Sequence, residues 1–511
     1  MSLFLPMKTV AKINPEKEYE LAKKMIEVAS QQKLDSDSYQ NLNVSVDNIM
    51  SAARILMERE ELRRINQSKF NKPKQESRTD KNLRLKKERE EFSKLPSEKY
   101  PLLEVKEEIK EQETLPTCPC CQNMMKPSGL FDTSEKVHVI PKKYYIIRSK
   151  RVKYNCSHCY GAMVNTLAEP SISPTSCYSD SIMIDVACSK YNDLIPIERY
   201  AQIAHQCGVI DLPPNSLISL THYLSDFLLP VFMMIKDEVL SSPIIQADET
   251  VHRMLEGDET MNWRLWGFLN NYSCYFEINN TRSGDIALNF LKDSEVKYLV
   301  TDGYSGYKKC IKELKEKYSK NVDEVFCNSH AYRYFKEASV TWKEECEVII
   351  KLYKEIYKLE SSRKEESHLF SAFEQLSFRS KMIPLFEEIK KICLEQKDKV
   401  MPGSQLFKAM GYFINHYDGL IKCTMNIDLP LDNNLSEREL RAPVIGRRTW
   451  LGTHSKRGAE TNAVLFSIIQ TCKLNNINSR FYIEWVVNQI HQKQEILTPY
   501  QFSKLNISSV G

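Results

Sequence analysis

Two aspartates follow apolar segments that have the composition of buried strands. Asp248 comes after IIQA, residues 244–247, and Asp302 comes after VKYLVT, residues 296–301. If the two strands are neighbours in one sheet, their carboxylates lie side by side. Adjacent carboxylates repel each other and are stabilised by a divalent cation, and oxygen ligands favour Mg²⁺ or Mn²⁺. The pattern therefore predicts a divalent-metal site built on two strand ends.

A site of this kind requires a third carboxylate, which we expect on a later helix. Glu437 is the candidate, because it lies near the start of an amphipathic helix in LDNNLSERELRAPVIGRRTW. Its rivals are Glu249, Asp432 and Glu439. Glu249 should face away from Asp248 on its strand, and Glu439 should lie on another side of the helix from Glu437. The candidate contacts to DNA phosphates in this segment are Arg438, Arg441, Arg447 and Arg448.

The segments around the two aspartates have the pattern of one mixed sheet. Strands NWRLWGFL and YSCYFEI follow the strand of Asp248, and helices then alternate with strands from SGDIALNFL to VDEVFCNSH. This order predicts a ribonuclease H-like sheet in which the strand of Asp302 lies beside that of Asp248. Apolar residues at helical spacing, from Trp342 to Ile356, predict an α-helical insertion over 339–425, ahead of Glu437.

Two CxxC pairs predict a zinc site upstream of the sheet. CPCC and CSHC supply four thiolates, and four protein ligands indicate a structural, tetrahedral zinc ion. The segment between them, 137–155, has the pattern of a β-hairpin, whose basic and aromatic residues either contact DNA or form a solvated face. Cys120 and His158 are predicted not to bind the ion. The predicted ligands are Cys118, Cys121, Cys156 and Cys159.

The remaining upstream segments are helical or strongly charged. Residues 180–240 have a helical pattern, within which one helix ends near Cys207, Gly208 forms a turn, and a second helix begins at Asn215 or Ser216. This suits either a helix-turn-helix or an ordinary helical hairpin. Eight Lys or Arg between Lys69 and Lys87 form either a phosphate-binding segment or a solvated linker.

Length and composition indicate a multidomain α+β protein. The chain has 511 residues, of which 42% are hydrophobic, and no apolar run approaches the roughly 20 residues that cross a bilayer. Fifteen scattered cysteines favour reduced thiols, so we expect a cytoplasmic protein with no membrane partner. The predicted regions are a helical N-terminal region (1–68), a charged linker (69–115), a zinc-binding domain (116–165), a helical region (180–240), a catalytic core (241–338 and 426–450), a helical insertion (339–425) and a helical C-terminal region (451–511).

Successive motifs in this order resemble those of the insertion sequence sixty-six family of transposases. The motifs are ADET, TDGYSGY, CNSHAYRYF, DNNLSERELR, GRRTW and SIIQTCKLNNIN, preceded by KYNDLIPIERY and the paired CxxC knuckles. The resemblance implies that Asp248, Asp302 and Glu437 are a DDE metal-binding triad. It also implies DNA binding near Arg333 and Arg448. The chain departs from the family pattern at Gln122, Tyr334 and Thr449, and none of these is a predicted metal ligand.

The resemblance further implies a supporting role for Cys327 and His330 of the CNSH motif. It implies recognition of terminal inverted repeats and of target DNA by two or more protomers on paired ends, in a prokaryotic, nucleoid-associated setting, with accessory transposition proteins as possible partners. Trp450 is expected either to stack on an unpaired base or to pack in the core.

The reaction expected from such a site is two-metal phosphoryl transfer, in which water cuts the element end and the freed 3′-hydroxyl then attacks target DNA. A DNA-binding regulator or an inactive domesticated transposase is the alternative, and a nuclease without strand transfer is a third.

Overall fold

The structure is a computed structural model, and it describes residues 95–101, 103–109, 116, 119–120, 122–126, 133–155, 158, 163–256 and 259–505. The predicted N-terminal helical region, the basic run 69–87 and the four predicted zinc ligands therefore lie outside the described residues. Within the predicted linker, helix α1 (Pro96–Lys99) is short.

The hairpin predicted within 137–155 is wrong. Residues 133–152 contain no strand, and β1 (Lys153–Asn155) instead pairs antiparallel with β2 (Met163–Asn165), so that the strands flank the CSHC knuckle. Pro141 has no backbone N–H to donate to a ladder, which disfavours pairing in the earlier segment.

Helices α2 to α5 form the next region, and the helix predicted to follow the Gly208 turn begins slightly earlier than predicted. Gly208 adopts a φ of +93°, which glycine tolerates, and helix α4 then begins at Pro214 because proline is well suited to the first helical position. The connection spans 207–213, which is longer than the three- or four-residue turn of a helix-turn-helix. The helices are α2 (Asp180–Tyr191), α3 (Ile197–Gln206), α4 (Pro214–Phe227) and α5 (Leu229–Leu240).

A five-stranded mixed sheet follows, in the order β5-β4-β3-β6-β7. The first three strands pair antiparallel, whereas β6 and β7 add in parallel on the other side of β3. The predicted adjacency of the two aspartate-bearing strands is confirmed, because β3 pairs directly with β6. The strands are β3 (Ile244–Glu256), β4 (Glu259–Leu269), β5 (Cys274–Asn279), β6 (Tyr298–Thr301) and β7 (Asp323–Phe326).

Helices connect the later strands and form the rest of the described chain. Segment 339–425 is helical, as its spacing predicts. The helices are α6 (Gly284–Leu291), α7 (Ser305–Tyr318), α8 (Asn328–Ala338), α9 (Lys343–Glu365), α10 (Ala372–Ser380), α11 (Ile383–Lys397), α12 (Gln405–Ile421), the 3₁₀ turn Lys422–Thr424, α13 (Asn434–Trp450), α14 (Lys456–Leu474), α15 (Ser479–His491) and α16 (Pro499–Ser503).

Two hydrophobic cores meet at the sheet. The first core joins β4, β5 and one face of β3 and β6 to helices α2–α7 and α14–α16, and it includes Ala247 and Leu299. The second core joins Val300, Val325 and Phe326 to α8 and to the insertion helices α9, α11 and α12. Because strand residues alternate between faces, β6 contributes to both cores.

Helix α14 also covers the edge strand of the sheet. The backbone N–H of Phe276 on β5 donates to Ser467 Oγ at 2.8 Å, and that of Cys274 donates to Thr471 Oγ1 at 3.0 Å. These hydroxyls satisfy edge amides that a neighbouring strand would otherwise satisfy.

Among the described residues, no helix by itself has the length and hydropathy to cross a membrane. Helices α4 and α5 are bent by 56° relative to each other, and only as a pair do they have the length and composition of a membrane-spanning segment.

Candidate active site

Asp248 and Asp302 lie at matching positions on neighbouring parallel strands. Gln246 is paired with Val300, and the same register continued by two residues places Asp248 opposite Asp302. Strands in a sheet lie about 4.8 Å apart, and matched residues on parallel strands face the same side. Both aspartates therefore occupy the face that carries Val300, which is the face covered by the second core.

The backbone around Asp302 is held by a network of hydrogen bonds. Its Oδ1 accepts from the Tyr304 N–H at 2.9 Å, and its carbonyl oxygen accepts from the Tyr412 hydroxyl of α12 at 2.9 Å. Gly303 has a φ of +88°, and a Cβ there would come within 3.2 Å of His416 Nε2. A glycine is therefore needed for the chain to turn sharply after the aspartate.

Asp248 is strongly destabilised as a carboxylate. Burial, followed by the negative charges of Asp302 and Glu249 and more weakly that of Glu437, raises its pKa to about 8, although the Glu249 N–H donates to its Oδ1 at 2.8 Å. Three other carboxylates thus act on one half-buried aspartate.

Glu437 lies in the first turn of α13 and faces helix α8. Its carboxylate accepts from Arg333 Nη2 at 3.1 and 3.4 Å, and its Oε1 is 3.6 Å from His330 Nδ1. Among the described residues, Cys327, His330 and Glu437 form the group of potential ligands whose atoms all lie within 4.8 Å of one another. Of the three predicted acids, this group contains Glu437 and neither aspartate. In this structure Glu437 therefore packs against the Cys–His pair.

Asn433, which sequence reasoning missed, connects the helix of Glu437 to the strand of Asp248. It is fully buried; its backbone N–H donates to Cys327 Sγ at 3.1 Å, and its Nδ2 donates to the Ala247 carbonyl at 3.1 Å. Ala247 precedes Asp248, and Asn433 precedes the helix of Glu437. An Asn just before a helix is a recognised capping signal, but its link to β3 depends on tertiary structure.

The rival acids have other partners. Glu249 accepts from the Tyr307 hydroxyl at 3.0 Å and pairs with Arg282 at 2.6 Å. Glu439 is buried and accepts from Arg438 Nε at 2.8 Å, and Asp432 Oδ1 accepts from the Asn434 N–H at 3.1 Å.

The donor set fits a hard divalent cation. Asp248 and Asp302 present oxygen ligands side by side, and their mutual repulsion is the feature that a cation removes. The neighbouring cations Arg282 and Arg333 form their ion pairs with Glu249 and Glu437.

The predicted DNA-contacting arginines differ in exposure. Arg333, Arg438, Arg441 and Arg448 are exposed, whereas Arg447 is half-buried. Trp450 is half-buried too: it packs edge-on against Tyr191 at 6.3 Å and beneath Lys190 at 4.2 Å.

Comparison with known proteins identifies the family of this chain. The sequence model of the Transposase IS66 family matches residues 175–461, and that of the zinc-finger binding domain of transposase IS66 matches residues 116–160. The first of these domains is of the DDE class of transposases. It covers more than half of the chain, and the protein belongs to the IS66 family of transposases.

Three relatives from Sinorhizobium fredii are similar over most of their length. The uncharacterized protein y4hP is 23% identical over 77% of this chain and 75% of its own. The uncharacterized protein y4jD is 23% identical over 73% of this chain and 74% of its own. The uncharacterized protein y4qI is 24% identical over 78% of this chain and 76% of its own.

Proposed function

We propose that this protein binds the terminal inverted repeats of an insertion sequence and catalyses metal-dependent DNA cleavage and strand transfer. In this proposal the sheet is a ribonuclease H-like core, and Asp248, Asp302 and Glu437 are its catalytic residues. The observation that carries the proposal is the pairing of β3 with β6. Extending the register of Gln246 and Val300 by two residues brings Asp248 and Asp302 side by side.

Asp248, Asp302 and Glu437 would hold Mg²⁺ or Mn²⁺, which when bound activates a water nucleophile and stabilises phosphoryl oxygens. The chain's own residues then have distinct tasks. His330 and Arg333 contact the Glu437 carboxylate and restrict its orientation. The exposed side chains of Arg438, Arg441 and Arg448 are suited to DNA phosphates, whose binding by arginine is salt-dependent.

A second ion belongs to the zinc-finger domain. The match to that domain supports a structural zinc ion, and we assign its ligands to Cys118, Cys121, Cys156 and Cys159. This domain is the better candidate for DNA contact than α4, because the exposed surface of α4 contains no Lys or Arg.

The wider setting follows from the same proposal. We expect at least two protomers on paired element ends, target DNA as the second substrate, accessory transposition proteins and a location in the prokaryotic cytoplasm at the nucleoid. The predicted domain boundaries are part of the proposal.

The test is cleavage of DNA that carries the element ends, with Mg²⁺, by the wild type, by Asp302→Ala and by Asp293→Ala. Asp293 is an exposed acid outside the site and serves as the matched control. The proposal expects nicking by the wild type and the control, and none by Asp302→Ala with DNA binding retained. DNA binding without nicking by any of the three would instead indicate a regulator, and nicking without strand transfer would indicate a nuclease.

A further inference from the structure

The helical insertion contains a buried arginine that contacts the segment immediately before the helix of Glu437. Arg379 on α10 is 1% exposed, and its Nη1 lies within hydrogen-bonding distance of three carbonyl oxygens, those of Cys423, Asn426 and Leu429, at 2.8, 2.6 and 2.8 Å. One guanidinium thus contacts the chain from the 3₁₀ turn to Leu429. Carbonyls outside regular helices and sheets need donors from elsewhere, and Arg379 supplies them here.

Glu360 on α9 fixes the orientation of this guanidinium. Arg379 Nε and Nη2 donate to its two carboxylate oxygens at 3.1 and 2.8 Å. Arg363 also donates to both oxygens, at 3.0 and 2.7 Å, but its Nη1 donates to Gln375 at 2.7 Å instead of to the 423–429 stretch. Arg363 and Arg379 therefore share the Glu360 carboxylate. Their remaining N–H groups differ, because those of Arg379 contact the 423–429 carbonyls and that of Arg363 contacts Gln375.

The stretch held by Arg379 leads directly into the candidate site. Two residues after Leu429, the Leu431 carbonyl accepts from the N–H and from Nδ2 of Asn328, at 3.2 and 3.0 Å. Asn433 then donates to the carbonyl that precedes Asp248. Helix α13 begins at the next residue and carries Glu437 in its first turn. The contacts from Arg379 to Glu437 are continuous along the chain.

We propose that Arg379 is a positioning residue, which sets the start of α13 and thereby the reach of Glu437 toward Asp248 and Asp302. The inference rests on the proposed function, and it gives the insertion a role inside the active site. A guanidinium fork is required because Lys has a single nitrogen, which cannot hold a carboxylate and three carbonyls together.

The test compares Arg379→Lys with Arg363→Lys in the full-length protein. Both variants lose one fork on the same buried carboxylate, so the second controls for general destabilisation. One readout is the Mn²⁺ concentration that gives half-maximal nicking of element-end DNA. Loss of a group that orients a ligand typically costs roughly 10- to 100-fold in metal affinity, and we expect an increase of this order for Arg379→Lys alone.

The other readout is amide hydrogen exchange over residues 429–437 in the metal-free protein, which does not depend on activity. We expect faster exchange there in Arg379→Lys and wild-type exchange in Arg363→Lys. Equal behaviour of the two variants in both readouts would overturn the proposal.

Two safeguards keep the result decisive. If Arg379→Lys does not fold, Pro430→Gly loosens the same stretch while leaving the ion pairs intact, and it should raise the Mn²⁺ requirement several-fold. An unchanged requirement in that variant would contradict the inference. If the wild type does not nick DNA, the proposed function fails, and hydrogen exchange alone decides whether Arg379 orders the segment.

Discussion

The hydrogen bonds of the two cores hold different parts of the chain. The first core holds the edge strand β5 through neutral hydroxyl–amide bonds from Ser467 and Thr471, two strands away from Asp248. The second core packs on the acid-bearing face, and its Tyr412 hydroxyl donates to the Asp302 carbonyl. The Arg379 guanidinium holds the 423–429 segment, which leads toward Glu437. The hydrogen bonds of the first core thus cover a sheet edge, whereas those of the second core hold the segments that carry the predicted acids.

Under the proposed function, this arrangement lets the insertion interrupt the catalytic core and still support it. The insertion lies between Asp302 and Glu437 in sequence, yet its helices hold the chain on both sides of the interruption. We therefore expect changes in the second core to affect metal binding and catalysis, and equivalent changes in the first core to affect stability alone.

The largest effect is expected from Asp302→Asn, which keeps the size of the side chain and removes its charge. Loss of one preorganised electrostatic group costs on the order of 10²–10³-fold in rate, and a direct metal ligand should cost at least that. Single-turnover nicking rates measure it. Asp293→Asn should retain the wild-type rate, and an active Asp302→Asn would contradict the assignment.

Glu360→Ala should cause the largest loss of stability. It leaves Arg363 and Arg379 buried without their carboxylate, and breaking a buried pair in this way costs about 3–5 kcal/mol in the free energy of unfolding. Burial raises the pKa of Glu360, but the hydrogen bonds from Arg363 and Arg379 outweigh burial and lower it to about 2. This stabilisation should be present above about pH 4.5 and lost as the pH falls toward 2, which acid titration of wild type and variant will reveal.

Ser467→Ala should be destabilising without altering the metal requirement. It leaves the buried Phe276 N–H without an acceptor, at a cost of about 1–3 kcal/mol. Urea unfolding gives the change in stability, and Ser361→Ala, at an exposed helical serine, is the matched control. An increased Mn²⁺ requirement in Ser467→Ala would abolish the contrast between the two cores.

The last change differs in sign, because Asp248→Asn should gain stability. Because the pKa of Asp248 is raised from 3.8 to about 8, the folded state binds a proton that the unfolded state has released across this range. Wild-type stability in EDTA should therefore decrease as the pH rises from about 4 to 8. The variant should lose this dependence and gain on the order of a few kcal/mol near pH 8, because each unit of pKa shift corresponds to about 1.4 kcal/mol. Identical pH profiles of thermal unfolding would show that Asp248 is not repelled by its neighbours.

Local patterns predicted the strands of the core and the adjacency of β3 and β6, because alternation and helix–strand order depend on nearby residues. They were less successful where long-range pairing decides: β1 finds its partner beyond the CSHC knuckle, at Asn165 instead of within the preceding segment. Asn433 and Arg379 were missed for the same reason. Their partners, the Ala247 and Leu429 carbonyls, are backbone atoms that no sequence pattern identifies.

The most direct measurement is anomalous diffraction from crystals of the protein with Mn²⁺ and element-end DNA. We predict manganese density between Asp248 and Asp302, with a Glu437 oxygen in the coordination sphere at roughly 2.0–2.1 Å, the distance at which Mg²⁺ binds oxygen ligands. Manganese bound without Glu437, which would then remain against Cys327 and His330, would contradict the assignment of the three acids to one centre.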